Sequence, residues 1–213
     1  MPVWDRLDVT GESGPIGNTF LRQGGSRLAV VLPGRLGGWM TAAVYYPVLA
    51  LLDRGFDALC LDSYDVVPDP STLRDDAAAA LAACTAAGRY RQVMLAGKSL
   101  GTLAMAELIL ERPDLASAPT IWLTPLLKVD RVAAALERLR TPGLVVIGSE
   151  DPHHDTGALE ALEARSHRVL VVAGAHHGLA IDGSAAASAE IPRRLVDAVL
   201  GYSEAHDSPR SQD

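Results

Sequence analysis

The chain has 213 residues, a length that predicts one domain with enough residues to bury a substantial core. Lys and Arg total 19 against 26 Asp and Glu, so the formal net charge is −7. An acidic chain without a basic run argues against nucleic acids and anionic membranes as partners. We therefore expect neither a nucleic-acid-binding protein nor a membrane-bound one.

No apolar stretch approaches the roughly 20 residues that are needed to span a bilayer. The segment Met1–Asp5 lacks the basic start and apolar block of a secretory signal, so we expect a cytoplasmic protein. Cys60 and Cys84 lie in apolar runs and are predicted to be reduced residues in or near the core. Residues 1–202 are predicted to form a single domain, and the polar residues 203–213 a flexible tail.

Short apolar runs alternate along the chain with longer segments rich in alanine and leucine. One or two antiparallel edge strands are predicted first, from Leu7–Val9 and Thr19–Arg22. The following strands are predicted, in chain order, at Leu28–Leu32, Phe56–Leu61, Gln92–Ala96, Thr120–Leu123, Leu144–Ile147 and Arg168–Ala173. The helices that follow them are predicted, in the same order, at Thr41–Arg54, Ser71–Ala87, Ser99–Glu111, Asp130–Arg140, Thr156–Ala164 and Ser188–Leu200.

This alternation predicts the fold class. Nearly continuous apolar strands, each followed by a helix, are typical of a mostly parallel sheet that is covered on both faces. The chain is therefore predicted to form a doubly wound α/β domain. Because ligands bind such sheets at the carboxyl ends of the strands, function is expected in the loops there, at 33–39, 97–101, 148–155 and 174–178.

The loop with the clearest chemical pattern is Gly97-Lys98-Ser99-Leu100-Gly101, between an apolar strand and a helix. A sharp strand-to-helix turn forces its serine into a cramped backbone conformation, and glycine on either side leaves room for the neighbouring elements. The Ser99 hydroxyl then lies above helix N–H groups that stabilise negative charge. We predict that Ser99 is a nucleophile, with a plain serine at a tight turn as the alternative. Lys98 is expected at the surface or at a pocket rim.

A serine nucleophile needs a base, and the base needs an acid to orient it. The strand Leu144–Ile147 is followed by Asp151, and the last predicted strand is followed by His176, His177 and Gly178. Nucleophile, acid and base thus each follow a separate strand, in the order Ser99, Asp151, His177. This is the order of the catalytic residues in α/β-hydrolases.

With these motifs the chain resembles the α/β-hydrolase superfamily over nearly its whole length. It looks most like the small, lid-poor serine esterases of the dienelactone-hydrolase-like kind. The resemblance implies that the acid follows a Gly-x-x-Asp turn, as Asp151 follows Gly148, and that a glycine follows the base, as Gly178 follows His177. Dienelactone hydrolases proper use cysteine as nucleophile, so a serine here favours ordinary ester chemistry, with no cofactor.

Several of these assignments have competitors. Asp151 can instead cap the helix that begins near Thr156, which leaves Glu150 or Asp155 as the acid. His176 is the alternative base. A metal site is a further alternative for a set of clustered residues, although adjacent histidines seldom point the same way and no helical pair is spaced for a metal. That set comprises Asp151, His153, His154, Asp155, His176 and His177. We predict no metal.

An oxyanion hole requires two backbone N–H groups. One is predicted at Leu100, and the other at Arg35 in the loop 33–38. Members of the superfamily often have His-Gly in this loop, where the chain has Pro33 and Gly34. The glycine lets the backbone approach a substrate, although a plain glycine-rich turn is the alternative. A phosphate site is disfavoured, because the loop lacks the Gly-Lys-Ser/Thr ending of a P-loop and the spacing of a dinucleotide fingerprint.

The substrate pocket is predicted from residues near these loops. Only residues 124–141 separate two successive strands where related hydrolases commonly insert a lid, so we expect a minimal lid and an open site. Such a site favours small or flexible acyl esters. The predicted substrate-binding residues, for which core packing is the alternative role, are Gly34, Leu36, Trp39, Met40, Trp122 and Leu126. Leu127, Tyr64 and Asp65 are also expected near the crevice.

Together the motifs predict a serine hydrolase that cleaves a small carboxylic ester or thioester through an acyl-enzyme. A catalytically silent binding protein of the same fold is one alternative. An acyltransferase or a lyase that uses the same three residues is another. The oligomeric state is not predicted.

Overall fold

The computed structural model describes residues 2–12, 14–62, 68–88 and 90–206. The strands are β1 (Val3–Asp5), β2 (Thr10–Gly11), β3 (Gly14–Pro15), β4 (Asn18–Arg22), β5 (Arg27–Leu32), β6 (Phe56–Leu61), β7 (Gln92–Lys98), β8 (Thr120–Leu123), β9 (Leu144–Gly148) and β10 (Arg168–Val172). The helices are α1 (Ala42–Asp53), α2 (Pro70–Ala87), α3 (Leu100–Glu111), α4 (Asp130–Arg138), α5 (Thr156–Ala164) and α6 (Ala185–Ala205), with short 3₁₀ helices at Gly38–Met40 and Pro113–Ser117.

Eight of these strands form one twisted sheet in the order β1-β4-β6-β5-β7-β8-β9-β10, and β2 and β3 pair separately. The six strands from β6 to β10 in this order run parallel. At the other edge, β4 runs antiparallel to both of its neighbours, β6 and β1. The predicted fold class, a doubly wound and mostly parallel α/β sheet, is confirmed.

The two faces of the sheet are covered by different helices. Alternate residues of β5 point to opposite faces, so Val30 belongs to the core beneath α2, α3 and α4, while Val31 belongs to the core beneath α1 and α6. Every residue of β5, β6 and β8 is buried. Burial on both faces explains why these strands are mostly apolar and do not alternate regularly between apolar and polar residues.

The predicted strands and helices match the observed ones to within a few residues, with one exception. Leu7–Val9 was predicted as an edge strand and is not one; β1 lies earlier, at Val3–Asp5. The side-chain amide of Asn18 accepts a hydrogen bond from Leu7 N (3.0 Å) and donates one to Leu7 O (2.9 Å). A side chain therefore satisfies the backbone groups that a neighbouring strand was expected to satisfy.

At the other end of the chain, α6 continues to Ala205, three residues into the segment predicted as a tail, and residues 207–213 lie outside the described part. Cys60 and Cys84 are free and buried, and burial raises the pKa of Cys84 to about 12. None of the described helices is long and apolar enough to cross a bilayer.

The Asn18 amide provides a test of this packing. It is buried and makes a third hydrogen bond, to Ile16 O at 3.0 Å. Asn18→Ala leaves the backbone groups of Leu7 without partners, so we expect the free energy of unfolding to fall by about 1–3 kcal/mol in urea titrations. Thr19→Ala, one residue along the same strand, is the control and is expected to cost less. Equal losses for the two variants would contradict this account.

Candidate active site

Ser99 lies at the sharp turn between β7 and α3, and its backbone has a positive φ of 51° with ψ −116°. A Cβ atom added at Gly97 would lie 2.6 Å from Gly101 O, and one added at Gly101 would lie 1.9 Å from Leu32 O. Real Cβ atoms do not approach backbone so closely, so only glycine fits at both positions. The glycines therefore allow the strand, the turn and the helix to close around Ser99.

The side chains of Ser99, His177 and Asp151 form a continuous chain of contacts. Nε2 of His177 lies 2.7 Å from Oγ of Ser99, and Nδ1 lies 2.7 Å from Oδ2 of Asp151. A carboxylate can only accept, so Nδ1 carries the proton and Nε2 accepts from the serine hydroxyl. The Asp151 side chain is fully buried, whereas that of His177 is 31% exposed. The structure thus brings the three predicted residues together.

The acid and base loops follow neighbouring parallel strands, β9 and β10, and are joined by hydrogen bonds. Glu150 N donates to Ala175 O at 3.0 Å, and Gly174 N donates to the hydroxyl oxygen of Ser149 at 2.8 Å. A Cβ atom at Gly148 would lie 2.0 Å from Ala175 O. Gly148 is therefore required for a close approach that brings Asp151 within reach of His177.

The electrostatic environment of Asp151 keeps its carboxylate ionised. Burial alone would raise the pKa, because it disfavours the charged form. Hydrogen bonds from His177 and from the backbone N–H of His153, with attraction from both rings, outweigh burial and hold the pKa below its ordinary value. The carboxylate remains charged at neutral pH and orients the imidazole of His177.

The competing residues have other contacts. The Nδ1 atom of His176 accepts from Gly178 N at 2.8 Å, and its Nε2 atom lies 3.5 Å from a carboxylate oxygen of Asp182. Asp155 caps helix α5 by accepting from Ala158 N at 2.9 Å. The described residues include no group of three or more His, Cys, Asp or Glu side chains arranged to hold a metal ion.

Glu150, the other acid considered, contacts the neighbouring Ser149 hydroxyl at 3.2 Å and is exposed. Of the acids and bases considered from the sequence, Asp151 and His177 are thus the pair that the structure connects to Ser99.

The loop after β5 passes directly beside Ser99. A Cβ atom at Gly34 would lie 3.4 Å from the Cβ of Ser99 and 3.5 Å from Lys98 O, and Gly34 is buried. Arg35 follows it and is exposed. On the other side of Ser99, Leu100 is the first residue of α3, where a helix leaves its N–H groups without intrahelical partners. Leu100 and Arg35 stay the predicted oxyanion donors.

The predicted apolar pocket residues divide into exposed and buried groups. Leu36 is 73% exposed and Met40 is 58% exposed, whereas Trp39 is buried. The Trp39 ring contacts Trp4 at a centroid distance of 5.6 Å and stacks on Tyr45 at 6.1 Å. Trp39 therefore supports the loop from beneath while Leu36 and Met40 face solvent.

Trp122 is a correction to the predicted pocket. Its side chain is fully buried in the core on the α2–α5 face of the sheet, and its indole N–H donates to Oγ1 of Thr120 at 2.9 Å. It therefore belongs to the core and not to a substrate pocket. Leu126 and Leu127 also pack on this core, with Leu126 half-buried. Tyr64 and Asp65 lie outside the described residues.

Two polar residues beside the site escaped the sequence-based prediction. Thr124 is fully buried, has a positive φ of 44°, and its hydroxyl has no hydrogen-bond partner among the described residues. His153, considered only as a metal ligand, has its ring centroid 5.8 Å from that of His177. No sequence signal marks Thr124. A β-branched residue seldom adopts a positive φ, so this conformation could not be predicted from the residue type. His153 could have been found from its position two residues after the predicted acid Asp151.

Lys98, expected at the surface or at a pocket rim, is half-buried. It lines a cavity of about 10 Å³, roughly the volume for one water, with apolar residues that include Val44 and Val48 of α1. Burial lowers the pKa of Lys98, and attraction from Asp151 opposes this shift.

No family model matches the sequence, and no curated protein matches it. Solved structures do match. One is a protein of unknown function from Agrobacterium tumefaciens, described as a putative α/β hydrolase. Its TM-score is 0.75 at 18% identity, and the match covers 98% of this chain and 100% of that chain. The chain has the α/β-hydrolase fold.

Two further matches have the same α/β-hydrolase fold at low identity. A dienelactone hydrolase from Anabaena variabilis matches with a TM-score of 0.71 and 16% identity, covering 94% of this chain and 98% of that one. A serine hydrolase without a lid from Xanthomonas campestris matches with a TM-score of 0.72 and 18% identity, covering 98% and 97%. In this chain, too, β8 is followed by a short connection and then by α4 before β9, without an inserted lid domain.

The close approach at the elbow is testable with alanine substitutions. Gly101→Ala places a methyl group against the carbonyl of Leu32, so we expect a loss of about 3 kcal/mol in unfolding free energy, or failure to fold. The control is Gly157→Ala, because a Cβ there meets only Asp155 Oδ1, at 3.6 Å. Thermal unfolding followed by circular dichroism gives both values. A Gly101→Ala protein as stable as the control would refute the steric account.

Proposed function

We propose that the protein is a serine hydrolase that cleaves a small carboxylic ester or thioester through an acyl-enzyme. The observation that carries this proposal is the unbroken contact chain from Asp151 through His177 to Ser99, with both contacts at 2.7 Å. Structural neighbours described as serine hydrolases and esterases support it at the level of the fold.

In the first half of the proposed reaction, His177 Nε2 takes the hydroxyl proton as Ser99 Oγ attacks the carbonyl carbon of the ester. The imidazole becomes positively charged, and the buried Asp151 carboxylate 2.7 Å from Nδ1 stabilises that charge. The tetrahedral intermediate carries a negative oxygen, for which we propose the N–H groups of Leu100 and Arg35 as donors. His177 then protonates the leaving alcohol or thiol.

In the second half, water attacks the acyl group on Ser99. His177 Nε2 accepts a proton from this water and returns it to Ser99 Oγ when the acyl–oxygen bond breaks. The partial exposure of His177, 31% of its side chain, leaves the base accessible from solvent. Hydrolysis requires such access, because the deacylating water has to reach both the acyl carbon and Nε2.

We propose that the apolar part of the substrate contacts the loop after β5. Gly34 lies against Ser99, and the same loop presents Leu36 and Met40 to solvent. The buried Trp39 holds the loop on the domain through contacts with Trp4 and Tyr45. Because no lid domain is inserted between β8 and β9, we expect the site to favour small or flexible acyl groups over long chains that need full burial.

The nucleophile is tested with a fluorophosphonate probe and p-nitrophenyl esters. We expect the probe to label Ser99 and the protein to hydrolyse p-nitrophenyl acetate, with Ser99→Ala losing both properties by a factor of at least about 10³. Ser71→Ala, at an exposed serine of α2, is the control and is expected to keep both. Labelling without turnover would favour a binding protein, and acyl transfer to an added alcohol or thiol in place of water would favour an acyltransferase.

The proposed substrate contacts are tested by acyl-chain length. Leu36→Ser combined with Met40→Ser removes apolar surface, so we expect KM for p-nitrophenyl hexanoate to rise about three- to tenfold and KM for the acetate to change little. Val171→Ser is the matched control, because Val171 is an exposed apolar residue on β10, four strands away from β5 in the sheet. Equal changes for the two esters, or a similar change in the control, would contradict contact with this loop.

A further inference from the structure

We propose that His153 is a positioning residue, whose ring holds the imidazole of His177 in line between Asp151 and Ser99. The inference rests on the proposed function and names a fourth residue for it. His153 lies two residues after Asp151, in the loop that leads from β9 to α5.

The backbone of His153 fixes the rotation of the acid. Its N–H donates to Oδ1 of Asp151 at 2.8 Å, while Oδ2 of the same carboxylate faces Nδ1 of His177 at 2.7 Å. Each carboxylate oxygen thus has its own partner. The plane of the carboxylate is set by these two contacts, and with it the direction from which His177 is held.

The side chain of His153 contacts the base itself. The two ring centroids are 5.8 Å apart and the ring planes are tilted by 51°, a separation within the range of direct aromatic contact. His177 has to maintain two hydrogen bonds at opposite ends of its ring, so a rotation that keeps one bond lengthens the other. A neighbouring ring in contact restricts that rotation.

A further observation distinguishes this contact from ordinary loop packing. The Nδ1 atom of His153 is buried and has no hydrogen-bond partner among the described residues. Leaving a buried polar atom without a partner destabilises the fold. The residue as a whole is only half-buried, so solvent lies within reach of a rotated ring. We infer that the contact with His177 outweighs the hydrogen bond that a rotated ring would gain.

Burial is the main factor that favours the neutral form of the His153 ring. Burial lowers the pKa of His153; Asp151 opposes that shift, while His177 and Lys128 add to it. Lys128 is held nearby by its ammonium group, which donates to Pro152 O at 2.6 Å. A neutral ring matters here because His177 gains a proton in the transition state, and a second cation alongside would oppose that gain.

Three substitutions of His153 test separately the contributions of its aromatic ring, its nitrogen atoms and its charge. His153→Phe keeps a ring and is expected to retain kcat within about threefold. His153→Ala removes the ring, so we expect kcat to fall about 10- to 100-fold with KM nearly unchanged, because only the alignment of His177 is lost. His153→Lys adds a cation beside His177, so the acid-side midpoint of kcat/KM is expected to move about half a unit to lower pH.

His154→Ala is the matched control, since His154 adjoins His153 and contacts Asp151 through its backbone N–H, which donates to Asp151 O at 2.8 Å. A purely structural role predicts lower thermal stability without a change in the pH profile or rescue by Phe. If His153→Ala matches His154→Ala in kcat, or if His153→Phe is as slow as His153→Ala, the inference is wrong. Ser99→Ala is assayed in parallel: if it retains turnover, the proposed function itself fails.

Discussion

The strained backbone of Ser99 is the constraint on which the site depends. A positive φ at a non-glycine residue costs about 1–3 kcal/mol and persists only where the surroundings hold it. Here Ser99 N donates to Leu123 O at 3.0 Å, and Ser99 O accepts from both the backbone N–H and the hydroxyl of Thr102. The central sheet and the first turn of α3 therefore hold Ser99 in this conformation. The close packing is possible because Gly97 and Gly101 have no side chain.

The same parallel sheet aligns the rest of the site. The strands β7, β8, β9 and β10 are neighbours, and their carboxyl ends lie along one edge. Ser99, Asp151 and His177 each follow one of these strands, so a residue's place along its loop determines whether its side chain reaches the others. Gly148 supplies the remaining condition, because it lets the acid loop and the base loop share backbone hydrogen bonds.

Much of this arrangement was predictable from the sequence because it is encoded locally. Glycine spacing around Ser99 identifies a strand-to-helix turn, and strand order then limits the acid and the base to two loops. The role of Trp122 was not predictable in this way. In a strand buried on both faces, such as β8, nearly every residue is apolar, so composition does not reveal to which face a given side chain points. The register against β7 and β9 decides it.

Leu7 shows a different limit of local patterns. The predicted edge strand was replaced by a side-chain amide, that of Asn18, which binds the backbone of Leu7 across 11 positions of sequence. Such a contact depends on the fold and leaves no mark on the hydrophobic pattern of residues 7–9. Local propensity therefore predicted an antiparallel edge strand, and one does lie beside β4, but at other residues than those predicted.

The residues that sequence reasoning missed share one physical property. In the described part of the chain, the only buried side-chain polar atoms without a hydrogen-bond partner are Thr124 Oγ1 and His153 Nδ1. Thr124 directly follows the residue whose carbonyl binds Ser99 N, and His153 binds Asp151. Folded proteins satisfy nearly all buried polar groups, so departures are expected where function outweighs stability. That both departures adjoin Ser99 and Asp151 independently supports the same loops as the functional site.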